Sequence, residues 1–185
     1  MPVEQPAIAI APVGEISADV LRGLLPAIEA RFPGRVARLA KEGLPRPDDA
    51  FAAGRKQYRA APILDRLIRL RLDAELLLGV ADLDLFASGL NFIFGQAQRG
   101  GPVGVIALAR LQPEYWGRPA DPQLFLQRAI KEAIHELGHT YGLEHCDDPT
   151  CVMHFSNTLE ETDRKTDRFC ATHEAQLTRA LGVTV

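Results

Sequence analysis

Three of the five histidines in this 185-residue chain, His135, His139 and His145, lie within one eleven-residue stretch, and Glu136 directly follows the first of them. On a helix, two histidines four residues apart stand on adjacent turns of one face, so both imidazoles can reach a single zinc ion. Glu136 points about 100° further around the helix, where its carboxylate can reach a water molecule instead of the metal. This arrangement predicts a zinc ion with Glu136 as the general base.

The residues after this helix complete the predicted site. Gly142 can adopt a positive φ angle, end the helix and turn the chain so that His145 returns toward the first two histidines. Three neutral imidazoles leave the fourth tetrahedral position of zinc open, as a catalytic zinc ion requires. The shorter pattern HExxH also occurs by chance in unrelated helices. The full pattern HExxHxxGxxH therefore carries the prediction of a catalytic zinc site.

Cysteines follow the third histidine at spacings that suit a second metal ion. Cys146, Cys151, Cys170 and His173 form the pattern C-x4-C-x18-C-x2-H, in which two close pairs can each hold one side of a tetrahedron. A structural zinc ion would order the polar segment between them, which has little apolar area to bury. The alternative to a metal site is that these are three unrelated thiols and a surface histidine. If His173 is not the fourth ligand of the zinc ion, His154 or a water molecule is the alternative.

The extended pattern HExxHxxGxxHC, followed by Met153, resembles the metzincin clan of zinc metallopeptidases. Over residues 135–173 it is most similar to the archaemetzincins, and residues 54–58 and 89–97 resemble that family more loosely. The resemblance implies that Met153 forms a hydrophobic base beneath the zinc. Phe155 stands where some clan members have a tyrosine that touches the metal, so no such ligand is expected. The family normally has cysteine at the position of His173, and Cys3His is also an accepted zinc set.

The expected activity is hydrolysis of peptide or protein substrates by an enzyme with two zinc ions, one catalytic and one structural. The alternative is a catalytically silent module of the same fold that retains both metals and recognises peptides. A glycan or nucleotide hydrolase is disfavoured because the sequence has no phosphate-binding glycine loop and no paired-carboxylate motif. Endopeptidase and aminopeptidase action both remain open, since Glu144, Asp147 or Asp148 could hold a substrate amine.

Strands and helices alternate in the first half of the chain, which predicts a mixed α/β (α+β) fold. We expect a mostly parallel sheet with an antiparallel edge strand, packed on a backing helix and an active-site helix, and a small zinc-stapled C-terminal subdomain with a helix. The active-site helix should start at the N-cap Asp121 with Pro122 first, and Ser17 should cap the backing helix, which Pro26 should bend or interrupt. The predicted elements are strands at 7–13, 34–40, 74–86, 90–97 and 102–111, a loop at 41–58, and helices at 17–32, 61–73, 117–142 and about 171–182.

These elements suggest one metallopeptidase domain, 1–185, with an N-terminal subdomain at 1–142 and a C-terminal subdomain at 143–185. The strand at 102–109 is the candidate edge strand for pairing with an extended peptide. The net charge of −3 argues against nucleic-acid binding, and the basic stretch at 66–72 resembles one face of a helix. No signal peptide or membrane span is expected, so a cytoplasmic, monomeric protein is predicted.

Overall fold

The structure, a computed structural model, describes residues 5–70 and 73–183. Its helices and strands within those residues follow one another in the chain as β1 (Ala7–Val13), α1 (Ala18–Arg31), β2 (Val36–Leu39), β3 (Phe51–Ala52), β4 (Gln57–Arg59), α2 (Ala60–Arg69), β5 (Leu76–Ala81), β6 (Leu85–Phe86), β7 (Gly95–Ala97), β8 (Val103–Ala107), α3 (Pro122–Thr140), α4 (Leu159–Arg164) and α5 (Ala171–Leu181).

A five-stranded sheet with the order β2-β1-β5-β8-β7 forms the centre of the fold. The first four strands are parallel to their neighbours, and β7 runs antiparallel to β8 at one edge. A second, smaller sheet has the order β3-β4-β6. The predicted mixed α/β class, with a mostly parallel sheet and an antiparallel edge strand, is confirmed.

Both faces of the central sheet are covered by helices, as parallel sheets require. Along β1, Ile8 and Ile10 join the core that includes side chains of α1 and α3, whereas Ala9 and Ala11 join the core that includes side chains of α2. This alternation follows from the two-residue period of a strand. The sheet therefore separates two hydrophobic cores, and α3 packs on the same face as α1.

Helix α1 begins as predicted, with the Ser17 side chain accepting a hydrogen bond from the backbone N–H of Asp19. Pro26 lies inside the helix without interrupting it, since α1 continues to Arg31. Buried Leu24 and Ile28 hold this part of the helix against the sheet. Packing thus outweighs the hydrogen bond that proline removes.

The edge strand differs from the prediction. Strand β8, within the predicted segment 102–109, is bonded to β5 on one side and to β7 on the other, and its five residues are all buried. A strand paired on both sides has no free backbone groups for a peptide, so the prediction for 102–109 was wrong. The edge next to β8 is β7, from Gly95 to Ala97.

Other segments also depart from the predicted elements: the predicted strand at 74–86 is divided into β5 and β6, and the predicted strand at 90–97 is a strand only in β7. The predicted loop at 41–58 contains β3 and most of β4, and the predicted helix at 61–73 ends at Arg69, with residues 71–72 outside the described part of the chain. Helix α4 was not predicted at all. Across residues 5–70 and 73–183, no helix has both the length and the apolar character needed to cross a membrane.

Candidate active site and metal centres

Helix α3 is the platform of the candidate site. Asp121 is its N-cap residue, and the Asp121 side chain accepts a hydrogen bond from the backbone N–H of Leu124 at 2.9 Å. Pro122 is the first residue of the helix. Ala129, Ala133 and Leu137 are fully buried in the core beneath the sheet. The apolar stripe thereby fixes the rotation of the helix and turns its histidines to one side.

The three histidines of the pattern converge at the end of α3. The Nε2 atom of His139 lies 3.1 Å from that of His135 and 3.2 Å from that of His145. Two nitrogens bound to one tetrahedral zinc ion at about 2.0–2.1 Å would be about 3.3–3.4 Å apart. The spacing of the three nitrogens therefore fits a single zinc ion, and the donor set is one that zinc prefers.

The other ring nitrogens of the two helical histidines face backbone oxygens. His135 Nδ1 lies 2.8 Å from Val152 O, and His139 Nδ1 lies 2.7 Å from Leu143 O. A carbonyl can only accept, so both Nδ1 atoms carry the proton and both Nε2 lone pairs are free. Burial lowers the pKa of His135 well below its usual value and that of His139 to about 4. Both rings are thus neutral near pH 7, as metal ligands must be.

The turn after α3 has the predicted geometry. Gly142 has a φ of 86°, its N–H donates to His139 O at 2.9 Å, and the N–H of Leu143 donates to Gly138 O at 3.1 Å. Such bonds satisfy the last carbonyls of a helix and reverse the chain. His139 O also accepts from Gly100 N–H at 2.9 Å, which ties the β7–β8 turn to the end of α3.

Glu136 is 4 % exposed, and its Oε2 has no hydrogen-bond partner among the described residues. Burial, followed by the nearby charge of Glu132, raises the pKa of the Glu136 carboxyl well above its usual value. The carboxyl lies against Gly95 of β7, where an added Cβ would come within 2.5 Å of Glu136 Oε1. A buried carboxyl with a raised pKa beside three imidazoles is suited to accept and return a proton.

Two glycines essential to this packing were missed by the sequence analysis. Gly95 makes room for Glu136, and a Cβ at Gly138 would come within 2.5 Å of Met153 Sδ. Met153 is fully buried beside α3. A glycine inside a helix costs about 1 kcal/mol relative to alanine, so Gly138 between two site histidines was itself a signal of close contact. Gly95 had no comparable signal, because strand order is not visible in a local pattern.

A buried ion pair was also missed. Lys165 Nζ lies 3.0 Å from Glu132 Oε1, and the two side chains are 0 % and 4 % exposed. Glu132 stands one helical turn before Glu136, and its Oε1 also accepts a hydrogen bond from Thr162 Oγ1 at 3.2 Å. The pair joins α3 to the end of α4, close to the three histidines.

A cleft of about 210 Å³ opens beside the three histidines. One wall is β7 with the preceding segment, and the other is formed by α3 and residues 155–157. Gln96 Oε1 and Ser156 Oγ, both from residues lining this cleft, are buried without a hydrogen-bond partner among the described residues. The cleft thus offers polar groups that a bound molecule can satisfy.

The second group of predicted ligands also comes together. Cys146 Sγ lies 3.8 Å from Cys170 Sγ, and His173 Nδ1 lies 3.2 Å from Cys170 Sγ and 3.9 Å from Cys151 Sγ. Sulfurs bound to one tetrahedral zinc ion at about 2.3 Å would be about 3.8 Å apart. The four side chains therefore fit one zinc ion, and all three cysteines are free of disulfides.

His154, the alternative fourth ligand, turns elsewhere. Its Nδ1 donates to the carbonyl of Cys146 at 2.9 Å, and it is not among the four side chains that converge. Burial opposes ionisation of Cys170, but hydrogen bonds from His173 lower the pKa of this thiol to about 7. The cluster thus contains a thiol that ionises readily, as a metal ligand must.

Comparison with known proteins settles the family. The sequence profile of peptidase family M54 matches residues 30–179. The archaemetzincin of Pyrococcus furiosus is 43 % identical over 180 residues, which is 95 % of this chain and 94 % of that protein. The chain belongs to the archaemetzincins, peptidase family M54. It is accordingly a zinc metallopeptidase, and the family resemblance seen in the sequence is confirmed.

Solved structures of archaemetzincins have the same fold. The archaemetzincin of Methanopyrus kandleri superposes with a TM-score of 0.86 at 35 % identity, covering 96 % of each chain. The archaemetzincin of Archaeoglobus fulgidus, complexed with malonate, gives a TM-score of 0.78 at 31 % identity, covering 92 % of this chain and 99 % of that one. A zinc-dependent peptidase of Methanocorpusculum labreanum gives 0.83 at 29 % identity, with the same coverage.

Proposed function

We propose that this archaemetzincin hydrolyses peptide bonds at the three-histidine site, with Glu136 as the general base. The observation that carries the proposal is the convergence of three Nε2 atoms, with His139 Nε2 at 3.1 and 3.2 Å from the other two, next to the buried Glu136 carboxyl, whose Oε2 has no hydrogen-bond partner in the described part of the chain. His135, His139 and His145 would hold the zinc ion. When bound there, zinc supplies Lewis acidity, which eases deprotonation of a water molecule and polarises a carbonyl group.

Glu136 performs the proton transfers in this proposal. One of its carboxylate oxygens takes a proton from the attacking water molecule, and the same carboxyl then returns the proton to the leaving amide nitrogen. Its buried position raises the pKa of the carboxyl, so the proton is held long enough to be passed on. Gly95 supports this role by leaving space for the Glu136 side chain.

The substrate is a peptide or protein, which we place along β7. This strand is an edge of the central sheet and lines the cleft beside the histidines. An extended peptide can add to such an edge through main-chain hydrogen bonds. Two polar atoms of the cleft are unpartnered within the described residues: Gln96 Oε1 can accept a hydrogen bond from the peptide, and Ser156 Oγ can accept or donate one.

The second zinc ion in this proposal is structural. Cys146, Cys151, Cys170 and His173 would bind it in a closed set of four ligands, which leaves no position for substrate. We infer that the zinc orders residues 143–185 as a C-terminal subdomain beneath the N-terminal subdomain at 1–142. Three free cysteines suit a reducing, cytoplasmic location, a net charge of −3 disfavours nucleic acid, and we expect a monomer.

The test is hydrolysis of a peptide library by zinc-loaded wild-type protein and by Glu136→Gln, with zinc content measured in both. We expect cleavage by the wild type and a loss of about 10²–10⁴-fold in the variant, with zinc retained. Equal cleavage by both proteins would refute Glu136 as the base. No cleavage by wild-type protein that holds zinc at the three-histidine site would favour a peptide-recognition module instead.

A further inference from the structure

His145 is attached to the structure differently from the other two histidines of the site. It lies on the loop after α3 and is exposed, whereas His135 and His139 are buried on the helix. Among the described residues, the Nδ1 atom of its ring has no hydrogen-bond partner, while those of His135 and His139 each bond a carbonyl. Its ring contacts Phe155, with centroids 4.8 Å apart. Something other than a hydrogen bond to the ring must position this residue.

The two histidines outside the three-histidine site bond the backbone on either side of His145. His173 Nε2 lies 3.1 Å from the carbonyl oxygen of Glu144, and His154 Nδ1 lies 2.9 Å from the carbonyl oxygen of Cys146. Glu144 and Cys146 are the immediate neighbours of His145 in the chain. Since both acceptors are carbonyls, both ring nitrogens are the donors.

His173 links the two candidate metal sites through a single ring. Its Nδ1 faces Cys170 Sγ at 3.2 Å, within the cysteine cluster, and the opposite nitrogen donates to Glu144. The side chain is buried, so this hydrogen bond has little competition from water. A cysteine at position 173 can supply a metal ligand but has no second donor for Glu144. The histidine therefore provides a connection to Glu144 that a cysteine at this position could not.

We propose that His173 and His154 are positioning residues that hold the segment 144–146 so that His145 faces His135 and His139. This role rests on the proposed function, because it requires a metal ion at the three-histidine site. Groups that orient metal ligands commonly change metal affinity by about 10–100-fold when they are removed. Each of these two hydrogen bonds acts on His145 through the backbone. We therefore expect zinc affinity to fall by an amount near the lower end of that range, about tenfold.

The test is the zinc dissociation constant of the three-histidine site, measured by competition with a chelator in four variants of the full chain. His173→Cys keeps four ligands in the cysteine cluster and removes the donor to Glu144. His154→Ala removes the donor to Cys146, and His154→Asn restores an N–H near the position of Nδ1. Asp147→Ala is the matched control, because Asp147 directly follows Cys146, is exposed, and makes no side-chain hydrogen bond to any described residue.

We expect affinity to fall about tenfold in His173→Cys and in His154→Ala, to recover most of that loss in His154→Asn, and to stay at the wild-type value in Asp147→Ala. Cobalt substitution separates the two sites, because thiolate-to-cobalt absorption reports the cysteine cluster alone. If His173→Cys loses metal from that cluster, the comparison of His154→Ala with His154→Asn still decides the question.

A purely structural role would lower the melting temperature of these variants without changing zinc affinity in the folded protein. Wild-type affinity in all four variants, or equal weakening in His154→Ala and His154→Asn, would overturn the positioning role. These results are distinct from a failure of the proposed function, in which the wild-type protein itself would bind no zinc through His135, His139 and His145.

Discussion

The two candidate metal centres adjoin at His145 and Cys146, yet they are ordered in different ways. The three-histidine site is built mainly on α3, whose apolar stripe is buried in the core, so packing places two of its ligands before any metal binds. The cysteine cluster lies on a segment whose residues 147–150 are all exposed. Burial cannot order residues 147–150, which lie between Cys146 and the buried Cys151, so we expect metal binding to contribute there. The difference supports the proposal that a metal ion would serve chemistry at the three-histidine site and folding at the cysteine cluster.

Removing one candidate ligand should mainly reduce stability at the cysteine cluster and mainly reduce activity at the three-histidine site. These are the largest effects that we expect. Cys151→Ser removes a buried ligand of the cysteine cluster and should destabilise the protein by several kcal/mol, because structural zinc binding is folding free energy. His139→Ala should abolish peptide cleavage while the protein stays folded. Thermal unfolding and zinc content of both variants check this. If His139→Ala unfolded the protein and Cys151→Ser did not, the comparison would be reversed.

The buried ion pair tests whether protein contacts support the three-histidine region. Lys165→Met leaves the Glu132 carboxylate without its 3.0 Å partner in a site that is 4 % exposed. Breaking a buried pair in this way costs about 3–5 kcal/mol. We expect a corresponding drop in the free energy of unfolding, measured in urea. The double variant Lys165→Met with Glu132→Gln should recover part of the loss, and a single variant as stable as wild type would show that packing alone supports the region.

Gly95→Ala should impair catalysis more than stability. The added methyl group would lie 2.5 Å from Glu136 Oε1, so the carboxyl must move away from its place beside the histidines. Misplacement of a catalytic group by about 1 Å can cost about 100-fold in rate. Steady-state kinetics should show this loss, with both zinc ions retained. Gly89→Ala is a poor control because Gly89 has a positive φ, whereas Gly54→Ala adds a methyl group in open space and should leave the rate unchanged.

The smallest expected effect concerns the ion pair at the rim of the cleft. Arg99 Nη1 lies 2.8 Å from Glu144 Oε1, but the two side chains are 56 % and 75 % exposed. Exposed pairs contribute about 0–1 kcal/mol, so Arg99→Ala should change the free energy of unfolding by less than about 0.5 kcal/mol. A larger loss in denaturant titration would mean that the loop carrying His145 depends on this pair, rather than on the backbone contacts of His154 and His173.

The sequence predicted well those features that depend on local spacing. The histidine pattern, the capped α3 and the cysteine spacing all act over short distances or through strict residue chemistry, and the structure brings those side chains together. Helix α4 was missed although Thr158 and Glu161 form a capping box, because the helix has only six residues and is mostly polar. The capping box predicts a helix start, but the short polar sequence that follows is equally typical of a loop.

Features set by long-range contacts were not predictable in the same way. The order of β7 and β8 in the sheet depends on which of them pairs with β5. The residues of the two segments do not indicate that pairing. Lys165 and Glu132 are charged residues whose pairing across 33 positions no local pattern reveals. The roles of Gly95 and Gly138 likewise follow from which side chains the fold brings against them. Tertiary packing, rather than local propensity, decides these positions.

The central claim is that three imidazole nitrogens meet at one metal ion. Anomalous diffraction at the zinc absorption edge, from crystals of protein purified with zinc, tests it most directly. Two peaks are predicted: one at about 2.0–2.1 Å from the Nε2 atoms of His135, His139 and His145, and one within the cluster of Cys146, Cys151, Cys170 and His173. A single peak in the cysteine cluster, with the three imidazoles turned apart, would contradict the account.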